Sequence, residues 1–517
     1  MKNRVRSISV VSLLVVSLCL PTWLLAQSGG RKGGRASQGK PAQSGRQGGQ
    51  QGSMQGGPPQ QALNACQSKQ DGDSCQFQSP RGTISGTCQS IQNQMACVPE
   101  GMGPGGSQGG QQQGQQMPGG GQQRSQRQQN AQTFAPFTNA KSVPNTLVDT
   151  GQNRCYNARQ EIACPAEGEA FYGQDAAYTS KAPAYRDNGD GTVTDLNTGL
   201  MWQQDPGDKM TYNRAVKKAS SFNLAGYTDW RLPTIKELYS LILFSGIDVG
   251  PQTTGENGVP FIDTNYFEFE YGDTSAGERI IDAQYASATK YVGTTMNGNE
   301  TMFGVNFADG RIKGYGITDP RSRSGKTFFV LYVRGNTGYG TNDFRDNGNG
   351  TITDSGTGLM WMQADSGTGM VWEDALGYCE NLEYAGDSDW RLPNAKELQS
   401  IVDYGRSPAT TNSAAIDPVF STSAMTDEGG KPNYPFYWTS TTHANERGGG
   451  NGAYIAFGEA LGWMKFRTGN TATLLDVHGA GAQRSDPKTG DAGDYAQGHG
   501  PQGDVFRITN YVRCLRN

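Results

Sequence analysis

Seven polar side chains near the C-terminal end, Asp476, His478, Arg484, Asp486, Asp491, Asp494 and His499, hold the densest chemistry in this sequence. Carboxylates and a guanidinium a few residues apart suit the hydroxyls of a sugar, and the carboxylates also suit calcium. No cofactor is required, and calcium stays open as a ligand. Zinc is the weaker reading, because His478 and His499 stand 21 positions apart with no third histidine near them. Ser/His/Asp hydrolysis has little support: no Gly-x-Ser-x-Gly elbow occurs, and all three histidines fall after position 440. No pair of carboxylates is singled out for glycosidase chemistry. His443 stands alone and is expected on the surface. Asp187, Asp190, Asp195, Asp346 and Asp354 miss the spacing of a calcium-binding ladder and are expected to shape turns.

The seven belong to a long segment, about 467–504, that must be positioned by a repeated frame. One stretch occurs twice, as Asp229-Trp-Arg-Leu-Pro-Thr-Ile-Lys-Glu-Leu238 and Asp389-Trp-Arg-Leu-Pro-Asn-Ala-Lys-Glu-Leu398. Thr234 and Asn394 are N-caps, and Glu237 and Glu397 stand three residues later, as a capping box requires. Trp230 and Trp390 are expected as buried indoles, with Arg231 and Arg391 in ion pairs that lock the entry loop. Upstream, Arg186-Asp-Asn-Gly-Asp-Gly-Thr-Val-Thr-Asp195 matches Arg345-Asp-Asn-Gly-Asn-Gly-Thr-Ile-Thr-Asp354, and its Asn/Asp-Gly turns predict a β-meander. A helix follows, with apolar positions Tyr212, Ala215, Val216, Ala219 and Phe222 answered by Trp372, Ala375, Leu376, Cys379 and Leu382. Between Phe457 and Val512 the second copy holds about thirty residues more than the first does between Phe307 and Val333. Long loops on a rigid frame concentrate binding groups.

Cysteine use bears on the compartment. Apart from Cys19, eight remain, an even number suited to four disulfides in an oxidising compartment. Cys66, Cys75, Cys88 and Cys97 form a small β module with three possible pairings. Cys155 and Cys164 suggest a stapled hairpin. Aligning Tyr332-Val-Arg-Gly335 with Tyr511-Val-Arg-Cys514 sets Cys514 against Gly335 and Cys379 against Ala219. The second copy thus has both cysteines and the first neither, which predicts a Cys379–Cys514 bond. It would close a loop of about 135 residues, worth roughly 4–5 kcal/mol at most.

Residues 1–26 have the basic start, apolar run and small terminal residue of a signal peptide, so the protein is expected to be exported: periplasmic, cell-surface or secreted. Gly/Gln-rich linkers are expected at 27–62 and 101–140, around a four-Cys module at 63–100. The two copies are expected at 150–340 and 344–517. No later stretch approaches a membrane span. Up to Val148 there are thirteen Lys and Arg against three Asp and Glu, and afterwards 31 against 45. So acidic a head does not advertise nucleic-acid binding.

The repeated motifs, with Tyr437-Trp-Thr-Ser-Thr-Thr442 and Val512-Arg-Cys514, resemble the Lcl C-terminal domain family across both copies. The resemblance implies an α+β, C-type-lectin-like fold with a loop-rich ligand face. In the family's name-giving member the domain sits on a collagen-like stalk and binds sulfated polysaccharides in adhesion. The stem here has no glycine period of three. Arg-Leu-Pro before a helix is also similar to the formylglycine-generating enzymes, which need a reactive cysteine where Cys514 is already committed. The expected function is therefore recognition of a glycan or other extracellular or envelope polymer, chiefly through the 467–504 loop. The alternatives are an envelope enzyme using that loop as a metal or acid/base site, and a structural assembly module that self-associates.

Overall fold

The computed structural model describes residues 64–99 and 135–517, save positions 68, 71, 80–81, 92–93, 251–256, 297, 319–324 and 466–470. The expected signal peptide at 1–26 and linker at 27–62 lie outside the described residues, as does the expected linker at 101–140 up to residue 134. The small module is a three-stranded antiparallel sheet of β1 (Ser74–Ser79), β2 (Gly82–Ile91) and β3 (Gln94–Pro99). Its disulfides are Cys66–Cys88 and Cys75–Cys97. Cys155–Cys164 staples a two-stranded hairpin, as expected. The module lies in one compact unit, and residues 123–517 make up a second.

The first copy opens with β4 (Tyr185–Asp187), β5 (Thr192–Asp195) and β6 (Leu200–Gln203). Their turns are drawn by the acidic residues themselves: Asp187 accepts the Gly189 N–H at 2.8 Å, and Asp190 the Thr192 N–H at 3.1 Å. Two short helices follow, α1 (Tyr212–Ala219) and α2 (Ile235–Ser240). A second sheet holds β7 (Gln284–Lys290), β8 (Thr301–Asn306) and β9 (Arg311–Gly316), and β10 (Val333–Gly335) returns to pair with β6. The second copy repeats the scheme with β11 (Phe344–Asp346), β12 (Thr351–Asp354), β13 (Leu359–Met362), α3 (Trp372–Glu380) and α4 (Ala395–Ser400). Then come β14 (Phe436–Asn445), β15 (Gly448–Ala456), the extra hairpin of β16 (Leu461–Lys465) and β17 (Ala472–Asp476), β18 (Gln483–Pro487) and β19 (Leu515–Arg516). The described chain is mostly β-sheet with few, short helices. None is long and apolar enough to cross a membrane.

The copies do not stand apart. Their sheets join edge to edge in the order β7-β8-β9-β18-β15-β14, so that equivalent strands of the two copies mirror each other about the seam, with Ile312 opposite Gln483 there. Arg311 crosses it, holding Asp248 at 2.7 Å on its own side and Ser485 at 3.1 Å on the other. The helices exchange contacts in the same reciprocal way. Lys236 donates to the Ser400 carbonyl at 2.6 Å, and Lys396 to the Ser240 carbonyl at 2.8 Å. Each lysine therefore serves the C-terminal end of the other copy's helix, where cations are favoured. One apolar core spans both copies and includes Trp202, Leu238 and Val333 with Trp361, Leu398 and Leu515. Each copy keeps a smaller core of its own around α1 or α3.

The repeated Trp-Arg motif behaves as its residue types require. Trp230 and Trp390 are buried, and both capping boxes are complete. Each arginine grips the capping glutamate with both nitrogens: Arg231–Glu237 at 2.7 and 2.6 Å, Arg391–Glu397 at 2.7 and 2.6 Å. The Cys379–Cys514 bond is present, but its counterpart in the first copy is not Gly335. Arg391 bonds the Leu515 carbonyl as Arg231 bonds that of Val333, so Cys514 stands where Tyr332 does. The Tyr332 hydroxyl donates to the Ala215 carbonyl at 2.8 Å, tying the same strand to the same helix without a covalent link. The shared Tyr-Val-Arg triplet is a coincidence three residues out of register. Val216 also departs from expectation: it is 48% exposed, whereas its counterpart Leu376 is buried.

The two ion pairs differ in exposure, with side chains 3% and 1% accessible for Arg391–Glu397 against 30% and 2% for Arg231–Glu237. Arg391→Ala strands a buried carboxylate and is expected to lower stability by about 3–5 kcal/mol. Arg231→Ala, whose guanidinium is partly hydrated, is expected to cost less than half of that. Urea unfolding midpoints of the two variants test the order.

Candidate functional site

The extra segment of the second copy folds over the end of its sheet, and only part of it faces outward. Asp476 ends β17 and points inward, accepting the Tyr291 hydroxyl of the first copy at 2.8 Å and the Gly479 N–H at 2.7 Å. Burial, reinforced by Glu459, pushes its carboxyl up to about 7. His478 is buried and bonds Asp504 through Nε2 at 2.8 Å. Burial and then Arg484 lower it to about 4. Arg484 pairs with the same carboxylate. Burial alone would raise Asp504, but Arg484 and His478 hold it well below the usual carboxylate range. These groups tie the segment to the seam between copies. They offer little to a ligand arriving from solvent.

His443 was expected on the surface and is fully buried. Its ring stacks on Phe261 at 5.5 Å, and Nε2 bonds the Asp309 carbonyl at 2.8 Å. It lies on β14, the outer strand of the six-stranded sheet, where Phe261, Asp309 and Arg311 of the first copy enclose it. Burial, with the positive Arg311 beside it, lowers it to about 4.

The remaining residues lie next to a cleft of about 530 Å³ without lining it. Pro435 and Phe436, at the start of β14, lie on one side with the segment Val505–Tyr511; Trp463 of β16 and the turn carrying Ala492, Tyr495 and Ala496 form others. The aromatic rings touch: Tyr495 meets Phe506 at 5.1 Å, and His499 stacks on Phe506 at 5.1 Å. Asp491 caps the turn by accepting the Gly493 N–H, and Asp494 is exposed beside it. Gly503 is required where this wall meets the hairpin, since a Cβ there would stand 2.3 Å from the Trp463 carbonyl oxygen. The charged lining residues are Glu428 and Arg507, paired through two contacts at 2.9 and 3.3 Å. The Arg507 guanidinium lies 3.8 Å over Phe436, which stacks on Tyr454 at 4.5 Å. Ring faces beside paired polar groups suit a ligand that is apolar on its faces and hydroxylated at its edges.

Asp486 shapes this cleft from beneath. It is buried, and its Oδ2 accepts the Arg507 N–H at 3.0 Å, the Ile508 N–H at 3.1 Å and the Asn510 amide at 3.2 Å. Those bonds hold Ile508 at φ 64°, a region that a β-branched residue rarely enters. Of the seven residues singled out in the sequence, then, Asp491, Asp494 and His499 reach the surface near the cleft. Asp476, His478, Arg484 and Asp486 are built into its support. Trp463, Phe506, Arg507, Glu428 and Asn510 were missed. The signal was available in the aromatic residues Trp463, Tyr495 and Phe506, which lie in or just beyond the extra length.

The turn aspartates behave as expected. In the second copy Asp346 accepts the Gly348 N–H, and Asp354 accepts those of Asp343 and Gly356. Among the described residues, the His, Cys, Asp and Glu side chains close enough to share a metal ion are Cys66, Cys75 and Cys97, and all three are in disulfides.

Burial raises the Asp486 carboxyl to about 6 despite its donors. The folded protein therefore binds this proton more tightly than the unfolded chain, whose carboxyl titrates near 4. The contribution is full below about pH 4 and is lost as pH rises through 6. Relative to Asp486→Asn, the wild type should lose on the order of 2–3 kcal/mol between those values, as read by chemical unfolding at a series of pH.

The Lcl C-terminal domain profile matches residues 191–334 and again 350–474. No curated protein and no solved structure matches the chain. The two matched segments cover more than half of the sequence and fall on the two structural copies. The chain belongs to the Lcl C-terminal domain family and carries that domain twice.

Proposed function

We propose that this is an exported, adhesin-like binding protein whose second copy recognises a glycan in the aromatic cleft. The carrying observation is that the length peculiar to the second copy builds this cleft, with Trp463, Tyr495 and Phe506 around the Arg507–Glu428 pair. Sugar rings present C–H faces to aromatic side chains and hydroxyl edges to paired charges, so the lining suits both surfaces of one ligand. Four disulfides support export to an oxidising compartment. A C-type-lectin-like assignment is supported for the second copy by its disulfide from helix to last strand and its loop-rich ligand end, and for the first by the shared order of its elements. The first copy then acts as a fixed platform, since its sheet edge and its Lys236 are engaged by the second.

A glycan array probed with the full chain, with and without chelator, tests the reading. Trp463→Ala and Tyr495→Ala are each expected to weaken saturable binding by about tenfold or more while leaving the melting temperature near that of the wild type. Binding unchanged in both variants would place the ligand elsewhere. A tightly held transition metal with no glycan binding would favour the enzyme alternative.

A further inference from the structure

The cleft contains an acceptor that its own fold does not satisfy. Asn510 lines it and is 1% exposed, and its amide nitrogen is committed to Asp486 at 3.2 Å. That bond fixes the orientation of the amide and leaves Asn510 Oδ1 without a hydrogen-bond partner. A buried acceptor without a donor costs free energy, so a ligand that supplies an N–H gains more here than on an open surface. The same cleft is lined by the apolar side chains of Ala492, Ala496, Val505 and Met425 beside the rings. An N–H next to a small apolar group describes an acetamido substituent.

The charges of the cleft narrow the choice further. Arg507, its lining cation, is neutralised by Glu428. Asp491 and Asp494 flank the turn that carries Tyr495, and both are exposed. A sulfated or uronate chain would meet carboxylates with no free cation among the described lining residues to offset them. Resting on the glycan reading above, we infer that the cleft selects an uncharged chain of N-acetylated hexosamines, with Asn510 Oδ1 accepting the acetamido N–H and the rings stacking on the sugar faces.

The test compares chitohexaose, cellohexaose and a heparin hexasaccharide by calorimetry on the full chain. Chitohexaose is expected to bind about tenfold or more tightly than cellohexaose, which has the same linkage but a C2 hydroxyl in place of the acetamido group. That hydroxyl can also donate, so the preference rests on the amide N–H at Asn510 and the methyl on the apolar lining being engaged together. Asn510→Ala should erase that preference, whereas Trp463→Ala should weaken both ligands together. Any heparin binding should be unaffected by Trp463→Ala. Equal affinity for the two neutral hexasaccharides, a preference that survives Asn510→Ala, or heparin binding lost with Trp463→Ala would overturn this selectivity and leave the glycan reading standing. Absence of saturable binding by all three would remove both. Thermal melts of each variant separate loss of contact from loss of fold.

Discussion

A guanidinium and a carboxylate six residues apart hold the rest of the molecule in place. Arg391 grips Glu397 with two nitrogens while its own backbone pairs with Leu515 on the last strand. Glu397 at the same time completes the cap of α4 and accepts the Asn145 amide from the segment before the first copy. One ion pair thus joins helix start, final strand and N-terminal strap. With both side chains nearly inaccessible to water, it is stable only while all of its partners are present. The first copy repeats the arrangement at Arg231 and Glu237, where Arg231 is more open to solvent. From these fixed points the helices present Lys236 and Lys396 to each other's ends. Burial lowers both amines to about 8, and the carbonyls of Ser400 and Ser240 receive them.

Local chemistry was the most legible part of the sequence. Capping boxes, Asn/Asp-Gly turns, the buried indoles and the Cys379–Cys514 bond depend on residues a few positions apart or on the presence and absence of a pair. What escaped depends on surfaces meeting. Nothing in the strands of either copy alone announces that β9 will pair with β18, so His443 could not be placed in an interior that forms only when the sheets join. The last strand shows how short motifs mislead: Tyr-Val-Arg recurs, yet the backbone pairing sets Cys514 on Tyr332. A hydroxyl hydrogen bond and a disulfide turn out to be alternative solutions to the same joint.

The extra length of the second copy carries both polar and aromatic residues, and it is the aromatic ones that line the cleft. In a segment that folds back on the core, carboxylates and histidines near the sheet find protein partners first. Asp476 meets Tyr291, His478 meets Asp504, and Asp486 meets three donors of the 507–510 turn. Rings too large to be wholly enclosed at the tip remain half-buried, and there they line the cleft. The polar groups supply its stiffness.

The joined sheet also bears on how the molecule can be handled. Strands β9 and β18 are each an inner strand of the six-stranded assembly, but either copy cut away from its neighbour would present that strand as a bare margin of unpaired amides and carbonyls. Such margins recruit other chains. A half-molecule made for convenience would therefore trade an intramolecular seam for an intermolecular one, and its tendency to clump would reflect the cut and not the intact protein.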